Sequence, residues 1–205
     1  MHVLLLNGSP NADGCTFTAL SEVAATLKTE NVTSEIFQIG KKPVRGCIAC
    51  GACRERGACA FQDDVLPALV EAVKRADGIV IGSPVYYAGP NGALCALLDR
   101  LFFSSGALLK FKPGAAVVSC RRGGASASFD RLNKYFTINQ MPVVSSQYWN
   151  SVHGFTPDDV RKDAEGLQTM RTLAHNMARQ LRMEAVTPMR TDEEEHLWTS
   201  FHDGK

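Results

Sequence analysis

No apolar run in this chain approaches the roughly 18 residues that a membrane-crossing helix needs. The early run Val3-Leu4-Leu5-Leu6 is too short for the core of a signal peptide and has no basic residues ahead of it. Charge of one sign is also missing. The 22 Lys and Arg are balanced by 21 Asp and Glu, a net charge of +1, which predicts no broad nucleic-acid or anionic-membrane footprint. Internal repeats and low-complexity tracts are absent. These absences predict a soluble, cytoplasmic chain with neither nucleic acid nor membrane among its partners. What remains is ordinary globular composition, 45% apolar over 205 residues. A chain of that length buries roughly 70% of its unfolded surface and needs no staple to fold. Cysteine is the exception. There are 7, and Cys47, Cys50, Cys53 and Cys59 crowd into one short segment, which points to metal or redox chemistry more than to a secreted disulfide framework.

Strand and helix patterns alternate five times. Strands are expected at residues 2–7, 34–39, 78–82, 115–119 and around Pro142-Val143-Val144. The expected helices carry Phe17 to Leu27, Val65 to Val73, Leu94 to Leu101, residues 125–137, and a last one opened by Thr156-Pro157 and running to Leu181. Pro67 is tolerable in the second of these because it lies in the first turn. Strands that are apolar on both faces need helices on both sides, so the pattern predicts an α/β fold with a doubly wound parallel sheet. Ligands of such sheets bind beyond the carboxyl ends of the strands.

Three loops lie at that rim. Asn7 to Thr16 ends at a helix N-terminus, where backbone N–H groups and the helix dipole favour an anion, and Ser9, Asn11 and Thr16 add donors. The loop has no Lys or Arg, and it lacks both the dinucleotide Gly pattern and the Gly-Lys-Ser/Thr ending of nucleotide triphosphatases. A single phosphate monoester suits it; so does a plain capped strand-to-helix turn. Ser83 to Asn91 is stiffened by Pro84 and Pro90 and presents Tyr86 and Tyr87, as a flat wall or as helix packing. Ser119 to Ser126 carries Arg121, Arg122 and the pair Gly123-Gly124, which lets backbone approach a ligand.

Taken together, Gly8-Ser9-Pro10 through Thr16, Ser83-Pro84-Val85-Tyr86 through Asp99-Arg100, and Ser119 through Gly124 resemble the NAD(P)H-dependent FMN reductase family of the flavodoxin superfamily. The resemblance implies a flavodoxin-like five-stranded sheet in the order 2-1-3-4-5, with FMN at the switch point. It implies one domain over residues 1–185, a Cys-rich loop at 46–60 inserted after strand two, and a C-terminal tail at 186–205. By the same resemblance, Ser9, Asn11, Cys15 and Thr16 hold the FMN phosphate. Pro84, Val85, Tyr86, Tyr87, Ala88 and Gly89 line one edge of the isoalloxazine, and Ser119, Arg121, Gly123 and Gly124 the other. Asn11 and Cys15 stand where the family often carries Arg and Ser or Asn.

Cys47, Cys50, Cys53 and Cys59 have the spacing C-x2-C-x2-C-x5-C, interleaved with Gly46, Gly51 and Gly57. Steps of three let a tightly turning chain aim successive thiolates inward, as in bacterial ferredoxins. The segment resembles the compact motif of iron-sulfur flavoproteins, which implies a 4Fe-4S cluster on these four cysteines. A structural zinc, and a reduced or reversibly oxidised loop holding no metal, stand beside that reading. Cys95 falls in a helical apolar pattern and reads as core.

His153 is offered as an acid or a substrate contact, against a plain surface residue. The acidic run Asp192 to Glu195 reads as a solvated helix start. Tyr148, Trp149, Trp198 and Phe201 predict a homodimer. The expected function is an FMN-dependent oxidoreductase that takes electrons from NAD(P)H and passes them to a small-molecule or redox-protein acceptor. No side chain need act as the catalytic acid. The alternative is an iron-sulfur flavoprotein relaying electrons between ferredoxin and FMN.

Overall fold

The computed structural model describes residues 1–188 together with Glu194, Leu197 and Thr199. Trp198, Phe201 and the rest of the acidic run lie outside the described residues. The chain runs β1 (His2–Asn7), α1 (Cys15–Thr29), β2 (Thr33–Gln38), α2 (Ala52–Arg56), α3 (Leu66–Arg75), β3 (Gly78–Tyr86), β4 (Gly89–Pro90), α4 (Gly92–Ser105) and β5 (Gly114–Cys120). It continues with α5 (Ala125–Ile138), β6 (Ser151–His153), α6 (Pro157–Lys162) and α7 (Ala164–Val186). The parallel strands lie in the order β2-β1-β3-β5-β6, with β4 folded back antiparallel on β3. Counting only the parallel strands, this is the expected 2-1-3-4-5.

The period-two alternation of strand side chains divides the interior into two cores. Leu4, Leu6, Ile79, Ile81, Ala116 and Val118 point to the face covered by α3, α4 and α5. Val3, Leu5, Val80, Ala115, Val117 and Val152 point to the other face, covered by α1 and α7. Each central strand therefore needs apolar residues at every position.

Three expectations about the elements are corrected. The fifth strand is not at 142–144. Val143 makes only an isolated bridge to Gly114, and the strand forms at Ser151–His153. Between them the chain leaves the sheet and is pinned by buried Asn150, whose Nδ2 donates to Ala116 O at 3.0 Å while its own carbonyl accepts from Val118 N–H. The last helix is two. Asp163 breaks it by turning its carboxylate to the Gly166 N–H and the His153 N–H. β3 extends through Tyr86, so the stiff loop after it is a hairpin.

Candidate functional site

The carboxyl ends of β1, β3, β5 and β6 meet at one rim. β1 ends at Asn7, and the chain turns at once into a place with no room for a side chain. A Cβ on Gly8 would stand 2.4 Å from Leu94 Cδ2 and 2.6 Å from the Gly82 carbonyl oxygen. Buried polar groups then fix the loop. Asn7 Oδ1 accepts from Ser9 N–H at 3.1 Å, Gln38 Nε2 donates to Ser9 O at 2.6 Å, and Asn91 Nδ2 donates to Gly8 O at 2.9 Å. The ends of β1 and β2 and the start of α4 thus hold one turn. Ser9 Oγ accepts from Asn11 N–H, and the Thr16 and Ser119 hydroxyls share a 2.8 Å hydrogen bond. α1 starts after Gly14 with no side-chain cap and no acidic residue in its first turn. Its first N–H groups remain available to an anion.

This turn forms one wall of a cleft of about 670 Å³, within the usual size of a ligand site. Ser9, Asn11, Cys15 and Thr16 line it from the turn after β1 and the start of α1, and Pro84, Val85, Tyr86, Ser119 and Arg121 from the ends of β3 and β5 and the loop after β5. Tyr87, Ala88, Gly89, Gly123 and Gly124 are not among the lining residues. Tyr87 and Ala88 form the tip of the β3-β4 hairpin, both in the left-handed region at φ 50° and 60°, as a type I′ turn requires. Tyr87 is fully exposed. Gly124 lies behind the hairpin, where a Cβ would come 2.6 Å from Ala88 Cα. Its role is to let the two loops touch.

Sequence reasoning missed a third wall, Gly154-Phe155-Thr156-Pro157, and also Asp13, Gly14 and Cys120. Thr156 and Asp159 close a capping box that starts α6 at the rim. A capped helix start directly after a strand was the available signal. His153 does not line the cleft; its backbone N–H is tied to Asp163.

Two thiols face the cleft. Burial pushes both Cys15 and Cys120 above the usual cysteine range; a backbone N–H at each sulfur opposes this, and Asp159 and Asp163 respectively add to it. Neither environment favours the thiolate form that a nucleophile needs.

The four clustered cysteines lie between β2 and α3, in a loop that leaves the same rim. Cys47, Cys50, Cys53 and Cys59 line one small hollow together with Phe61, Arg100 and Phe103. Gly51 and Gly57 bracket the short helix α2 in left-handed conformations that other residues adopt only under strain. The thiols are all unpaired. Among the described residues, no three or more Cys, His, Asp or Glu side chains converge in a metal-holding geometry. The donor chemistry nevertheless suits a sulfur-ligated centre. No carboxylate or imidazole lines the hollow, and the Arg100 Nε–H points at Cys59 Sγ across 3.3 Å.

Residues 1–156 match the profile of a family described as NADPH-dependent FMN reductase. An iron-sulfur flavoprotein of Methanocaldococcus jannaschii is 33% identical over 186 residues, covering 87% of this chain and 96% of that protein. An iron-sulfur flavoprotein of Methanosarcina thermophila is 29% identical over 181 residues, covering 86% and 93%. Among solved structures, RosB with a bound riboflavin-phosphate intermediate superposes with a TM-score of 0.73 at 14% identity, over 100% of this chain and 93% of that one. An apo NADH:FMN oxidoreductase superposes with a TM-score of 0.62 at 18% identity, over 91% and 93%. The structural likenesses show the fold.

Proposed function

The chain belongs to the NADPH-dependent FMN reductase family, and from that membership we propose that this FMN-dependent oxidoreductase is an iron-sulfur flavoprotein, with FMN in the rim cleft and a 4Fe-4S cluster on Cys47, Cys50, Cys53 and Cys59. The observation that carries the proposal is the four-thiol hollow. Its cysteines come from one loop, and the relatives that cover most of the chain are named iron-sulfur flavoproteins. When bound, FMN supplies two-electron and one-electron redox chemistry and the cluster supplies one-electron chemistry.

The chain's own residues bind, orient and shield. Ser9, Thr16 and the first N–H groups of α1 hold the phosphate without a cationic side chain. Asn11 and Cys15 complete that wall. Pro84, Val85 and Tyr86 at the end of β3, and Ser119 and Arg121 beside them at and after the end of β5, line the part of the cleft that takes the ring. Tyr87, Ala88 and Gly89 shape the hairpin, and Gly123 and Gly124 the turn behind it. The domain comprises residues 1–185 with the cysteine loop inserted at 46–60, and the partner is a ferredoxin-like carrier or a small acceptor.

A second reading, direct reduction by NADH or NADPH, is favoured by Arg121. It stands exposed at the mouth of the cleft, where a dinucleotide phosphate would arrive. Two measurements on anaerobically purified protein separate the readings. The first is iron and acid-labile sulfide, expected at about four irons per subunit, the content of one 4Fe-4S cluster, and lost in Cys50→Ala. The second is bleaching of the flavin absorbance by NADH or NADPH. Protein supplied with iron and sulfide that takes up neither would reject the cluster and leave the nicotinamide-dependent reductase.

A further inference from the structure

α4 packs into the interior through Leu94, Leu97, Leu98 and Leu101, all with no exposed surface. Arg100 shares that burial at 1% exposure. An arginine in a leucine-lined interior is not explained by stability, because a well-packed apolar residue does as well or better there. Its contacts supply the reason. A guanidinium has five N–H donors in a fixed planar fork, and here all five are used. Nε donates to Cys59 Sγ at 3.3 Å. Nη1 donates to Arg45 O at 3.1 Å and to Asp64 Oδ2. Nη2 donates to Phe61 O at 2.8 Å and to Asp64 Oδ1 at 3.3 Å. The Arg100 and Arg45 guanidinium groups both lie over the Phe61 ring, 5.8 Å and 4.4 Å from its centre.

Every one of these acceptors belongs to residues 45–64, the segment that carries the four cysteines. Arg45 stands at its start and Asp64 at its end. That segment has little regular structure beyond the five residues of α2. Beyond the Leu66 N–H, which donates to Asp64 Oδ1 from the start of α3, the side-chain hydrogen bonds that tie it to the helices and sheet come, among the described residues, from Arg100.

We propose that Arg100 is the positioning residue of the cysteine site: it clamps both ends of the loop to α4, so that the four thiols face one hollow, and it directs a permanent cationic N–H at the Cys59 sulfur. This rests on the reading of the hollow as a cluster site. The clamp requires the planar fork; the effect on sulfur requires only positive charge. Lysine has the charge without the fork, and glutamine has neither, so the two roles can be separated. A cationic N–H donor beside a cluster sulfur favours the reduced state and raises the midpoint potential.

The test uses the full chain, FMN-loaded and handled anaerobically, as wild type, Arg100→Lys, Arg100→Gln and Asp64→Asn. FMN content and thermal unfolding report whether each protein is folded. In iron-free protein, the rate of deuterium labelling at the backbone amides around Cys59 is read by peptide mapping. It should rise by about tenfold or more in Arg100→Lys and Arg100→Gln, the factor expected for losing at least one charged hydrogen bond. Asp64→Asn should move it in the same direction. In reconstituted protein, the cluster midpoint should fall in Arg100→Gln and fall less in Arg100→Lys. Unchanged labelling around Cys59 in folded variants would overturn the clamp. An unchanged midpoint in Arg100→Gln would overturn the electrostatic role. If the Arg100 variants do not fold, labelling around Cys59 in Asp64→Asn decides the clamp and its midpoint decides the charge coupling. If wild type takes up no iron, the cluster reading fails, while the labelling comparison still decides whether Arg100 holds the loop.

Discussion

Removing the Ser9 and Thr16 hydroxyls together should separate binding of the phosphate from binding of the ring. Ser9 Oγ already accepts from Asn11 N–H, which leaves its own hydrogen for a ligand. The Thr16 and Ser119 hydroxyls share one hydrogen between them, so this pair also keeps one to give. Each hydrogen bond to a charged acceptor contributes about 1.5–3 kcal/mol, so two contribute about 3–6 kcal/mol. At about 1.4 kcal/mol per factor of ten, Ser9→Ala/Thr16→Ala should bind FMN about 10²- to 10⁴-fold more weakly. Riboflavin has the same ring and no phosphate, and its affinity should stay within a few-fold of wild type. The double variant also strips buried Ser119 of its partner, at about 1–3 kcal/mol of stability. That loss appears in the unfolding curve, not in the FMN-to-riboflavin ratio. Titration of both ligands by flavin fluorescence gives the ratio directly. An equal loss for FMN and riboflavin, or no loss for FMN, would refute the phosphate assignment.

Gly8→Ala should destabilise the protein by about 1–3 kcal/mol through overpacking and weaken FMN binding as well, because the added methyl meets the Gly82 carbonyl oxygen; a wild-type melting temperature would contradict the tight turn. Burial pushes the Asp64 carboxyl up, but the bonds from Arg100 and the Leu66 N–H outweigh it, and the net effect holds it below the usual carboxylate range. The unfolded chain therefore binds that proton more readily. The stability Asp64 contributes is complete above its unfolded value of about 3.9 and is lost as pH falls through the lower folded value. Unfolding free energy measured against pH should show an acid limb that flattens in Asp64→Asn; parallel limbs would contradict this. The Tyr148 and Trp149 rings pack as a tilted pair, 5.1 Å between centres, and are more than half exposed. They predict a dimer by sedimentation at micromolar concentration, weakened in Trp149→Ser, and a wild-type monomer would reject it.

The sheet was legible because every central strand is apolar at each position, a pattern that only a doubly covered sheet accommodates. The phosphate-type turn was legible because Gly8, Ser9 and Thr16 follow a strand and open a helix. The fifth strand was not. Val143-Val144 has the stronger β-branched signal, yet pairing passes to Ser151–His153 because Asn150 is anchored to β5, a contact spanning 34 residues. The role of Arg100 was not legible either. In a leucine-rich helix a charge reads as the solvent side, and its acceptors lie 36 to 55 residues away. Its phase three residues after Leu97 was the one local hint that it faces inward.

The hairpin at the cleft has a kinetic consequence. Its turn places Tyr87 and Ala88 in the left-handed region, where neither glycine nor asparagine relieves the cost. Such a turn cannot nucleate its own strands. It is held in place by β3, paired within the sheet, and by the next loop, which Gly124 lets approach Ala88. The rim beside the cleft is thus a strained, two-pair ladder with an exposed tip, the kind of element that opens at low free-energy cost under native conditions. Amide exchange at Tyr86 and Gly89 should therefore outpace exchange along Ile79 to Gly82 by orders of magnitude, giving the cleft a door that swings without unfolding the wall behind it.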